Sequence, residues 1–136
     1  MNERIDLDIV TPERRVVAAQ VDEVILPSAD GYMGVRPGHA PLLAMLDAGE
    51  VSYRVENEQH YLAVSGGFAE VLRDSVSIMA ATSERAEEID VERAERSKAR
   101  AEAALKTHDS EVAFARAEVR LKKAITRIKV GERVNH

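Results

Sequence analysis

Glu84-Arg85-Ala86-Glu87-Glu88-Ile89-Asp90 is where the character of the chain changes, and reading outward from it separates two kinds of structure. Residues 1 to 84 carry 6 basic and 14 acidic groups and residues 85 to 136 carry 13 and 10, so the net charge changes from −8 to +3. All four prolines and six of the seven glycines precede the cut, leaving only Gly131 behind it. Turn-formers punctuate the first part and helix-formers fill the second.

Upstream, apolar residues alternate or run in short blocks: Ile5-Asp6-Leu7-Asp8-Ile9, Val21-Asp22-Glu23-Val24-Ile25-Leu26, Val51-Ser52-Tyr53-Arg54-Val55 and Val76-Ser77-Ile78. A period of two with breakers at Pro12, Pro27, Gly31, Pro37-Gly38, Gly49, Asn57 and Gly66-Gly67 predicts short strands in a sandwich or flattened barrel. Downstream, Ala, Glu and Arg dominate, with Glu-to-basic pairs four apart at Glu92/Arg96, Glu102/Lys106 and Glu118/Lys122 that support helix in water. Lys106-Thr107-His108-Asp109-Ser110 interrupts the pattern. Asp90 is placed to cap a first helix, and either Asp109 or Ser110 a second. The second helix has an apolar stripe at Phe114, Ala117, Leu121, Ala124/Ile125 and Ile128, whereas the first offers mainly Val91, Ala94, Ala101, Ala104 and Leu105. A buried alanine methyl contributes about 0.8 kcal/mol against about 1.5 to 3 for leucine, so an alanine-lined hairpin is expected to dock weakly on a firm β domain.

Composition excludes several functions. A net charge of −5 does not suit a nonspecific nucleic-acid binder. Zero cysteines remove disulfides, thiolate metal sites and thiol nucleophiles together. No apolar run approaches the roughly 20 residues that span a bilayer, so direct membrane insertion is not expected, and the opening Met1-Asn2-Glu3-Arg4-Ile5-Asp6 is too acidic for a signal peptide. Chemistry-bearing motifs are missing as well. The one glycine pair, Gly66-Gly67, precedes Phe68, and the first lysine is Lys98, so no phosphate-gripping Walker loop exists. Ala63-Val64-Ser65-Gly66-Gly67 lacks the first glycine of a nucleophile elbow. His39, His60, His108 and His136 lie too far apart for a metal-ligand spacing, and no metal site is expected.

Three blocks together resemble the epsilon subunit of F-type ATP synthases: Gly31-Tyr32-Met33-Gly34-Val35-Arg36-Pro37-Gly38-His39-Ala40-Pro41-Leu42, then Ala63-Val64-Ser65-Gly66-Gly67-Phe68-Ala69-Glu70-Val71, then Glu84 to Asp90. The resemblance covers essentially the whole chain and implies an all-β N-terminal sandwich of about ten strands followed by a C-terminal antiparallel two-helix hairpin, with residues 1–84 as the β domain and 85–136 as a regulatory hairpin. It assigns Gly31, Tyr32, Met33, Gly34, Pro37, Gly38, His39 and Pro41 to contacts with the gamma subunit and the membrane ring of c subunits. Read from residue types alone, the same stretch is a rigid turn, with Pro37 and Pro41 fixing φ and Gly34 and Gly38 permitting positive φ. Many family members have an acidic residue where this chain has Tyr32, which bears on any charge pairing with the c subunits.

Ile89-Asp90-Val91-Glu92-Arg93-Ala94 is similar to the signature of epsilon subunits that bind ATP. A capped helix start explains Asp90 equally well. The resemblance gives a candidate ATP site of Glu84, Ile89, Asp90, Arg93, Ala94, Arg100, Lys123 and Arg127, with Lys123 standing where the family pattern has arginine and so losing a bidentate fork. ATP, with or without magnesium, would be a regulatory ligand and not a required cofactor. Arg116, Arg120, Lys123 and Arg127 form a basic stripe on the second helix that the resemblance directs, in an extended form, at the catalytic ring of alpha and beta subunits. The implied function is a noncatalytic rotor subunit that couples gamma to the c ring, restrains ATP hydrolysis, and sits peripherally on the cytoplasmic face of the bacterial plasma membrane. The alternative is a free-standing ATP-sensing module. An independent hydrolase would need residues that the sequence does not contain.

Overall fold

The computed structural model describes residues 3–107 and 109–134 and divides into two compact units, Met1–Arg85 and Ala86–His136. The first unit is built of β1 (Ile5–Val10), β2 (Arg15–Val21), β3 (Glu23–Ser28), β4 (Gly31–Val35), β5 (Leu42–Met45), β6 (Gly49–Val55), β7 (Glu58–Val71) and β8 (Ser75–Arg85). The strands follow the order β2-β1-β8-β7-β6-β3-β4, with β5 also paired to β7. β1 and β8 run parallel and every other pair is antiparallel. Alternation decides which face is buried: Ile5, Leu7 and Ile9 point into the core while Asp6 between them is exposed. The core they enter is almost wholly aliphatic, with Val16, Val21, Val24, Leu26, Val35, Val51, Leu62, Val64, Val76 and Ile78 filling it from six further strands.

Eight strands stand where about ten were expected, because β7 and β8 are long enough to serve twice. β7 pairs with β6 from Glu58 to Val64 and with β5 from Phe68 to Val71. Between those segments Gly66 and Gly67 take φ of 68° and 115°, and a Cβ on Gly67 would stand 1.9 Å from the carbonyl oxygen of Met79. The strand therefore redirects at two glycines without breaking.

In the second unit a 3-10 turn at Ala86–Glu88 leads into α1 (Val91–Lys106), and α2 (Glu111–Gly131) returns. The Asp90 carboxylate accepts from the Arg93 N–H at 3.1 Å and the Ser110 hydroxyl from the Ala113 N–H at 3.0 Å, which settles both N-caps. Ala94 and Ala101 on α1, and Ala117 and Ala124 on α2, are buried at heptad spacing. The apolar stripe expected on α2 is only partly used. Phe114, Leu121 and Ile128 are half-buried and Ile125 is exposed, because the pairing helix meets the small residues and leaves the large ones on the flank. At the open end of the hairpin Gly131 is buried, and a Cβ there would lie 2.6 Å from Val91 Cγ2 and 3.1 Å from Ile89 Cγ2.

Candidate functional site

The alanine seam leaves a cleft of about 390 Å³ along one side of the hairpin, lined by Ser97, Arg100, Ala101 and Ala104 from α1 and by Arg120, Lys123, Ala124 and Arg127 from α2. Four cations and no carboxylate line it. The small side chains make the geometry: with alanine at 101, 104 and 124, the long basic stems rise around a low floor instead of being held apart by bulk. Arg100 Nη2 donates to the Ser97 hydroxyl at 3.2 Å, one helical turn away on the same face. Among the described residues neither Arg120 nor Lys123 has an ion-pair partner. Positive charge gathered in this way raises the local concentration of anions, and phosphate oxygens are the acceptors that guanidinium forks fit best.

Of the residues proposed from sequence to hold ATP, Arg100, Lys123 and Arg127 come together in this cleft. Arg93 is exposed one turn before Ser97 and does not line it. Ala94 is buried in the helix seam, Asp90 caps α1, and Ile89 is buried with its Cγ2 beside Gly131. Glu84 belongs to β8 of the other unit, opposite Ala63. Arg120 joins the cleft while Arg116, four residues earlier on the same stripe, does not. Ser97 went unnoticed in the sequence, and its signal was its place three residues before Arg100.

The turn that the resemblance assigned to the stalk lies in the first unit. Gly31 and Gly38 take positive φ, 122° and 90°, whereas Gly34, which could permit it, is an ordinary residue of β4 paired with Ile25. The Gly38 N–H donates to the Arg73 carbonyl at 2.7 Å and the His39 N–H to the Arg36 carbonyl at 3.2 Å, so the Pro37-Gly38-His39 tip is tied back to the body. Tyr32 is largely exposed, yet its hydroxyl accepts from the Glu50 N–H at 3.1 Å and lies 3.0 Å from where a Cβ on Gly49 would stand. Immediately beyond the turn, β5 exposes 65% of Leu43 and 64% of Met45. Met45 pairs with Phe68, which pairs with Met79, and Met79 is also exposed. This apolar row was not read from the sequence, since its members come together only through the register of β5, β7 and β8. Among the described residues no group of three His, Asp or Glu side chains is placed to hold a metal ion, and His108 and His136 lie outside those residues.

A β-sandwich carrying a helical pair defines a class: the family model of the ATP synthase delta/epsilon chain matches its beta-sandwich domain to residues 4–86 and its long alpha-helix domain to residues 87–132. The ATP synthase epsilon chain of Syntrophobacter fumaroxidans is 44% identical over 133 residues, covering 98% of this chain and 99% of that one. The epsilon chain of Desulforamulus reducens is 47% identical over 126 residues, covering 93% and 96%. The chain belongs to the epsilon-chain family of F-type ATP synthases, whose members are noncatalytic subunits of the complex. A chain of the Euglena gracilis mitochondrial ATP synthase, solved as an assembly of OSCP, F1 and c-ring, superposes with a TM-score of 0.81 over all of this chain and 84% of that one; at 23% identity this is a likeness of fold.

Proposed function

We propose that this subunit couples the gamma shaft to the c ring through its β unit and restrains ATP hydrolysis through its helices, with ATP as the ligand that keeps the hairpin folded. The observation that carries the regulatory half is the cleft: Arg120, Lys123 and Arg127 line it in the folded hairpin. The same three groups belong to the basic stripe proposed to meet the acidic lower face of the alpha/beta ring. One set of charges serves two partners, so holding phosphates and blocking rotation exclude one another. The alanine seam supports the reading energetically, since each buried methyl adds only about 0.8 kcal/mol. Ligand at 100 times its dissociation constant adds about 2.7 kcal/mol to whichever form binds it, enough to govern so shallow an interface. For the coupling half, the tied turn at Gly31–Pro41 and the exposed Leu43 and Met45 offer gamma and the c ring a rigid, partly apolar surface.

No helix among the described residues is long and apolar enough to cross a membrane, and we place the subunit peripherally, on the cytoplasmic face of the bacterial plasma membrane, through its partners. Replacing Arg116, Arg120, Lys123 and Arg127 together by alanine tests the inhibitory role. Hydrolysis by the reconstituted complex should rise toward the level that high salt gives the parent, since screening weakens partly exposed pairs. Unchanged inhibition would assign it instead to the Phe114/Leu121/Ile128 flank.

A further inference from the structure

We infer that Ser97 and Arg120 complete an oligophosphate subsite in the hairpin cleft, Arg120 by contacting the anion and Ser97 by both positioning Arg100 and donating to the anion. The inference rests on the reading of the hairpin as a nucleotide sensor and sharpens it, because neither residue belongs to the set that the ATP signature supplies.

Two observations carry it. Arg120 is an exposed guanidinium that lines the cleft and, among the described residues, faces no carboxylate partner; a cation held beside three others is a liability unless an anion joins them. The hydroxyl of Ser97 is arranged differently from the other helical hydroxyls of the hairpin. Thr107 and Thr126 donate to the carbonyls of Ala103 and Lys122 at 3.2 and 2.9 Å, the usual use of such a group. Ser97 instead accepts from Arg100, which leaves its own hydrogen to donate into the cleft and fixes the guanidinium that must bind there.

The spacing selects the length of the anion. Arg120, Lys123 and Arg127 are spread along about 10 Å of α2 at ~1.5 Å per residue, so a chain of phosphates engages all three where a single phosphate cannot. Arg120 also offsets the weakness at Lys123, which has charge but no fork.

Titration calorimetry on the full chain decides it, with ATP and inorganic tripolyphosphate as separate probes, each with and without magnesium. Arg120→Ala should weaken both probes about tenfold and Ser97→Ala about threefold to tenfold. Arg120→Lys should recover part of the loss, whereas Lys122→Ala, which removes an equal charge outside the cleft, should stay within about twofold of the parent. Circular dichroism should show the same helix content throughout, as alanine preserves propensity. If ATP binds and neither Arg120→Ala nor Ser97→Ala alters it, the subsite is wrong while the sensor stands. If tripolyphosphate binds with this Arg120 dependence and ATP does not, the subsite stands and the nucleotide reading fails. If neither probe binds, both are wrong.

Discussion

Asp22 holds together three parts of the β unit that are distant in sequence. It accepts the Glu56 N–H at 2.6 Å, in a turn where Glu56 takes a left-handed φ of 56°, and it pairs with Arg4 at 3.2 Å and Arg54 at 3.7 Å. The Glu56 hydrogen bond first, and then the two guanidinium groups, hold its carboxyl below the ordinary carboxylate range against a desolvation that pushes the other way. A lowered folded-state value means that this stabilisation is complete above the unfolded value of about 3.9 and is lost as the pH falls through the folded one. Asp22→Asn keeps the shape and removes the charge. It should therefore melt lower than the parent at neutral pH, with the two melting temperatures converging as the pH falls through the lowered folded-state value; a gap that persists in acid would assign the effect to geometry. In the hairpin the corresponding test separates two arginines that the sequence treated alike. Arg100→Ala should weaken ATP about ten- to a hundredfold, and Arg93→Ala, outside the cleft, far less. The ATP signature points to the hairpin without giving this ranking, because one helical face spans more length than the proposed ligand site.

Among the elements, the seam between α1 and α2 is the one proposed to open, and its interior is alanine. Its open end closes on Gly131, and a Cβ at 2.6 Å from Val91 Cγ2 meets a β-branched side chain with little rotameric freedom. Gly131→Ala gains about 0.5 to 1 kcal/mol of helix propensity but incurs about 1 to 3 kcal/mol of overpacking. Gly131→Val should lose more. Hydrogen exchange should show reduced protection across 91–131 in that order, with β1 to β8 unchanged; a gain in hairpin protection would show that the end relaxes freely. Elements of this kind were legible where periodicity is strong: the alternating β1 and the Asp90 cap followed from residue types, whereas the choice of Ser110 over Asp109 for the second cap came only with the structure. The continuity of β7 was not, because Gly66-Gly67 reads as a turn between strands, and only the close approach to Met79 explains why the chain bends there without ending. The flank of Phe114 and Leu121 was misread for a related reason, since amphipathicity identifies an apolar face and not the neighbour that covers it.

For the molecule as a whole, the division at Arg85 and Ala86 separates an acidic aliphatic sandwich from a basic hairpin whose interior is alanine. The change in charge and the distribution of proline and glycine made this organisation readable. The cationic cleft was only half readable, because Ser97 and Arg120 enter it through the antiparallel register of two helices, a quantity that one strand of sequence does not encode. A chain ending after Arg85 retains every strand and the turn at Gly31–Pro41, so it should fold and copurify with gamma; failure of either would contradict the separation of roles. In the proposed function, the hairpin restrains hydrolysis when ATP is scarce and is held harmless when ATP is abundant. The most direct test is the ATPase rate of the reconstituted complex, with the full subunit or with the chain ending after Arg85, across a range of ATP concentrations. Truncation should raise the rate at low ATP and the two curves should meet at high ATP, whereas curves that coincide throughout, or a truncated complex that is slower, would show that the hairpin is not an ATP-governed brake.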